Sequence, residues 1–174
     1  MKKKSAKFLA MLLVFSLMAF TFLTLHGLGL RVNISNSMPD LFYRVIPLSS
    51  HTPIYPGDYV VLDLSKLSNP VIELGIERGY ISRELPMLKE IGAVPGDVAL
   101  LRPERLYIND DSIPMFVASA DSRGGKLPMF PTPIILPPDS YWLISNPKGG
   151  FDSRYFGPIH RSAFTHKAYL IFQK

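Results

Sequence analysis

The chain has 174 residues, a formal net charge of +5 and no cysteine, which excludes disulfides, thiol nucleophiles and cysteine-ligated metals. Its length suits one folded domain plus an anchor and is short for two ordinary domains. The basic excess is local: Lys2, Lys3, Lys4 and Lys7 precede any acidic residue, and from Arg31 onward 15 basic residues face 14 acidic ones, too even a balance for a nucleic-acid binder.

Residues 1–7 form a Lys-rich tail, and Phe8 to Leu30 carries no charged side chain if His26 is neutral. Those 23 residues, at about 1.5 Å each, would span a hydrocarbon core of roughly 30 Å as a helix. Four lysines on one side against Arg31 on the other predict a cytoplasmic N-terminus, with residues 31–174 across the membrane. A cleaved secretory signal is the competing reading, although the apolar run is long for one and no Ala-x-Ala site follows it.

Sixteen prolines and twelve glycines, mostly after residue 38, argue against a helical bundle and for short strands and turns. The turn Tyr55-Pro56-Gly57-Asp58 introduces a predicted strand over 59–64. Asn69 as N-cap, Pro70 at the first position and Gly79 as stop predict a helix over 70–78. A strand over 85–91 leads into Val94-Pro95-Gly96-Asp97, and short strands follow over 98–101, 106–108 and 113–116. The Asn109-Asp110-Asp111 turn pairs the last two. Residues 128–138, with five prolines, read as an extended loop, and strands over 141–145 and 167–172 close the chain. The expected fold is a single, mainly β domain with short helices behind one N-terminal transmembrane helix.

Three segments carry chemistry. Ser35-Asn36-Ser37-Met38-Pro39 follows the anchor; a serine beside a proline is ordinarily turn chemistry, but here it would lie close to the bilayer. A serine hydroxyl needs a base within reach. Histidine is disfavoured: no Gly-x-Ser-x-Gly elbow and no His-Glu-x-x-His spacing occurs, so neither a Ser–His–Asp triad nor a metal site is expected. Lysine is the alternative, provided burial lowers its pKa from near 10.4. On a strand over 85–91, Leu85, Met87, Lys89 and Ile91 share one face, which would set Lys89 in an apolar row. An edge-strand lysine that discourages aggregation fits the same spacing. The third segment, Gly149-Gly150-Phe151-Asp152-Ser153-Arg154-Tyr155-Phe156-Gly157, is either a polar turn with an ion pair or a support holding serine and base in register, with Asp152 paired to Arg154 or to the base.

In order, these segments resemble the motifs of the type I signal peptidases: Ser35 to Pro39 the serine stretch, Lys89 to Asp97 the lysine stretch, and Phe151 to Gly157 the Gly-Asp-Ser-Arg-Tyr box. Pro56 to Val61 is similar to the strand entry between the first two. The resemblance implies a signal-peptidase-like β domain, Ser37 as nucleophile, Lys89 as neutral general base, and an oxyanion hole from the Ser37 N–H and the Ser35 hydroxyl. Ser153 and Arg154 would be structural supports, with no metal or organic cofactor.

The short chain, the single anchor and the stretch Ser37 to Tyr43 are most similar to the TraF-type peptidases of conjugative plasmids. That branch implies an inner-membrane, single-pass enzyme with a periplasmic domain, acting on a pilin precursor beside other conjugation-apparatus proteins. It also implies Asp152 as a third catalytic participant and ring closure of the product as an option. The chain departs from these patterns at Leu41-Phe42-Tyr43, at Glu90, and at Gly150, which replaces a serine that often supports the base. The alternatives are a general type I signal peptidase, a non-catalytic assembly protein of a conjugation or secretion apparatus, and a self-cleaving Ser–Lys repressor, the last opposed by the membrane helix.

Overall fold

A computed structural model describes residues 2–33, 38, 42–145 and 149–171. The elements in chain order are α1 (Lys2–Gly27), β1 (Leu30–Val32), β2 (Phe42–Pro47), β3 (Tyr59–Leu62), α2 (Pro70–Glu77), β4 (Met87–Ala93), β5 (Val98–Arg102), β6 (Arg105–Ile108), β7 (Asp111–Pro114), β8 (Ile134–Ile135), β9 (Ser140–Ile144), α3 (Ser153–Phe156), β10 (Ile159–His160) and β11 (Phe164–Leu170). The expected mainly β architecture is borne out. Among the described residues the strands form a seven-stranded sheet, in the order β1-β2-β11-β3-β4-β9-β10, and a four-stranded sheet, β7-β6-β5-β8.

The stretch Lys7–Gly27 of α1 is long and apolar enough to cross a membrane. Its large apolar side chains, such as Phe15 and Phe20, are exposed. The helix stops three residues short of the apolar run: Gly29 takes a φ of +80° and Leu30 already pairs with Arg44 as part of β1. Hydropathy continued across that boundary, but the backbone turned.

Two turns of one design enter the sheets. Gly57 and Gly96 have φ of +85° and +91°, a left-handed conformation that glycine adopts without strain and that a proline at the preceding position favours. In each, an aspartate clamps the turn: Asp58 accepts from the Tyr55 N–H at 2.8 Å and Asp97 from the Val94 N–H at 2.9 Å.

The helix expected over 70–78 is α2, with the Asn69 side chain accepting from the Val71 and Ile72 N–H groups. Its Ile72 packs with Val60, Leu62, Met87, Ile91 and Leu143 in a core on one face of the larger sheet. A second core, around Trp142, Ile144, Leu101 and Leu106, joins the two sheets. The strand expected over 85–91 begins two residues later, at Met87. Pro86 has no N–H to give a ladder, and Leu85 before it is left exposed.

Candidate active site

Lys89 sits mid-way along β4, flanked by β3 and β9, so it is not an edge lysine. Met87, Lys89, Ile91 and Ala93 are the buried face of that strand. Val60 is its cross-strand partner on one side; on the other, Glu90 pairs with Ile144, so the register brings Ser145 opposite Lys89. Only 2% of Lys89 is exposed. Burial, which disfavours the ammonium, pushes its pKa down to about 8; the Asp152 carboxylate pulls it back up and the Arg154 guanidinium pushes it down. Glu90 belongs to the opposite face, where burial pushes its carboxyl up.

Asp152 and Arg154 are fully buried beside this amine. Arg154 donates from Nε to Asp152 Oδ1 at 2.7 Å and from Nη2 to Oδ2 at 2.8 Å. Ser145 completes the carboxylate's shell, donating from its N–H at 3.0 Å and its hydroxyl at 2.7 Å. Of the two partners expected for Asp152, the arginine holds the ion pair. Ser153 accepts from the Leu143 N–H at 2.8 Å, and Arg154 donates to the carbonyls of Gly150 and Phe116. These bonds fasten α3 to β9, whose residues run beside Lys89.

Lys89 opens into an apolar groove of about 870 Å³. Met87, Leu88 and Ile81 line one part of it, Phe116, Ala118 and Leu127 another, and Gly150, Phe151 and Tyr155 a third. Val32 and Asn33, the last described residues before the serine segment, line it too. Ser35 and Ser37 lie outside the described residues; Met38, one position beyond Ser37, is buried. Among the described residues no group of histidine and carboxylate side chains could hold a metal ion.

A model of the family described as signal peptidase, peptidase S26, matches residues 2–173. The chain belongs to this signal peptidase family. It is 32% identical over 158 residues to the conjugal transfer protein TraF of Agrobacterium fabrum, covering 86% of each chain. It is 29% identical over 150 residues to the protein of the same name from Agrobacterium tumefaciens, covering 83% of this chain and 82% of the relative. The plasmid transfer protein TraF of Escherichia coli is 29% identical over 146 residues, 79% of each. A signal peptidase I from Enterococcus faecalis aligns in structure with a TM-score of 0.39 at 17% identity, over 66% of this chain and 96% of that one.

Set against this signal peptidase family, the glycine at position 150 has a local explanation. A Cβ there would lie 1.7 Å from the Ser145 hydroxyl oxygen and 2.7 Å from the Ser145 Cβ. Ser145 fills the space, and sequence reasoning missed it because only the β4–β9 register brings it to the lysine. Gly150→Ala should therefore cost about 1–3 kcal/mol by overpacking and break the Ser145–Asp152 bond. Thermal unfolding is the measurement, and Ser145→Gly in the same chain should recover the overpacking part of the loss but not the Ser145–Asp152 bond.

Proposed function

We propose that the protein is a membrane-anchored serine endopeptidase that processes a pilin precursor for conjugative transfer. The observation that carries this reading is Lys89: a fully buried amine with its pKa brought down to about 8, lining an apolar groove that Val32 and Asn33, five and four positions before Ser37, line as well. Membership of the signal peptidase family and the conjugal transfer names of the relatives support the substrate. The apolar helix supports the anchor, and the lysines before it favour a cytoplasmic N-terminus with the β domain in the periplasm.

In this mechanism neutral Lys89 takes the proton of the Ser37 hydroxyl as its oxygen attacks a peptide carbonyl. The oxyanion is held by the Ser37 N–H and the Ser35 hydroxyl. Collapse expels the amine, which takes the proton from Lys89 and leaves an acyl ester on Ser37. Water then releases the shortened chain; an amine of the same chain held nearby closes a ring instead, by effective concentration. Asp152 acts through Arg154 and Ser145, holding the frame around the base.

The test is the intact mass of a pilin precursor co-expressed with the wild type or with Ser37→Ala. A product shortened only beside the wild type is expected, and a mass one water lower still would show ring closure. An unshortened pilin beside the wild type, with secretory precursors cut instead, would replace the pilin reading with that of a general signal peptidase.

A further inference from the structure

The groove wall formed by residues 116–127 belongs to neither sheet, and Ala118, Ala120 and Leu127 on it join neither hydrophobic core. Its position is set by polar tethers. At the inner end Arg154 donates to the Phe116 carbonyl and the Ala118 N–H donates to the Tyr155 hydroxyl at 3.1 Å. At the outer end the wall folds into a loop closed by a bridge between Ala120 and Lys126, with the Asp121 carboxylate accepting from the Arg123 and Gly125 N–H groups, both at 2.8 Å. That carboxylate also accepts from the Tyr80 hydroxyl, beyond the end of α2, and Arg78 donates to it and, at 3.0 Å, to the Lys126 carbonyl. Tyr80 is braced in turn by Phe151, with ring centroids 5.5 Å apart. Gly125 leaves no spare room, since a Cβ there would come within 2.6 Å of the Asp121 carboxylate.

We propose that Tyr80 and Asp121 are specificity-determining residues, their contact fixing the outer half of the wall over the groove and so the size of the substrate side chain it admits. This rests on the peptidase reading above. The inner tethers come from the segment that frames Lys89 and hold that end of the wall to the base. The outer tether meets that frame only at the Tyr80–Phe151 ring contact, which Tyr80→Phe keeps, so loosening the hydroxyl–carboxylate bond widens the groove without moving Lys89. Small side chains on the outer part of the wall, Ala120 and Ser122, are the part that would move. A shift of about one methylene's width changes discrimination between substrates by roughly 10- to 200-fold in an apolar pocket.

The experiment uses the full-length protein and two co-expressed pilin precursors, one with alanine and one with leucine at the residue that intact mass shows to precede the cut. In Tyr80→Phe the ratio of leucine to alanine processing should rise about tenfold, and so should amide exchange over residues 120–127, while amides of β4 keep their protection. Asp121→Asn should do the same to a lesser degree. Unchanged exchange, or faster exchange with an unchanged ratio, would overturn the specificity role while the peptidase reading stood. A wild type that cuts neither precursor would overturn the peptidase reading, and the specificity role with it.

Discussion

Lys89→Met should raise the thermal midpoint of the protein while abolishing its turnover. A lysine kept for stability would lose stability on this change; a lysine kept for chemistry burdens the fold. Lowering its pKa from 10.5 to about 8 corresponds to roughly 3 kcal/mol spent on holding the charged form in a buried place. Below about pH 8 that cost is present in full. Between about 8 and 10.5 the unfolded chain binds more protons than the folded one, so wild-type stability rises with pH across that window. Methionine has a similar stem and no charge, so it removes the cost at neutral pH. A gain of about 1–3 kcal/mol, a few degrees in midpoint, is expected at pH 7 and should shrink toward pH 10. Activity has the complementary profile: the base works unprotonated, so turnover climbs about tenfold per pH unit below pH 8 and levels above it. Lys89→Arg should be inactive as well, because guanidinium keeps its proton at any accessible pH. Unfolding scans at two pH values and a pH–rate profile suffice; a less stable Lys89→Met that still cuts would end the general-base assignment.

What could be read without a structure was what local chemistry determines. Asn69 and Pro70 announced α2, paired Pro-Gly-Asp turns announced β3 and β5, and alternation along β4 put Lys89 in an apolar row with Met87 and Ile91. The misreadings also have local causes. β1 was hidden because Leu30 closes the apolar run and the three-residue strand is too short to show a pattern, and β2 because Arg44 and Pro47 break its pattern. α3 is a four-residue helix capped by Asp152, too short to show a period. The site's frame was illegible for another reason. Ser145 meets Lys89 only through the β4–β9 register, and Tyr80 meets Asp121 across 41 residues of chain. No local pattern marks either pair, because both contacts come from strand register and the path of a loop. The edge-strand reading of Lys89 fell on the same ground: strand order comes from the whole sheet, and β4 is flanked on both sides.

Arg154→Met should be the most damaging single change in the domain. The guanidinium and the Asp152 carboxylate have exposures of 1% and 0%, so removing the arginine strands a buried carboxylate and costs about 3–5 kcal/mol. It also releases the carbonyls of Gly150 and Phe116 that Arg154 holds. Asp152→Ala strands the opposite charge at similar cost, whereas Asp152→Ala with Arg154→Met leaves neither charge alone and should be less harmful than the two single losses summed. Stability alone would not say whether Asp152 carries a proton in the reaction. The pH–rate profile does, because the two partners act on Lys89 in opposite senses: the aspartate raises its pKa and the arginine lowers it. If Asp152 is a positioning residue, Asp152→Asn keeps the shape, loses the charge, and moves the rising limb of the profile to lower pH while the plateau persists. If Asp152 instead exchanges a proton with substrate, the asparagine variant loses the plateau itself. The saturated shell of Asp152, filled by Arg154 and Ser145, favours the first outcome.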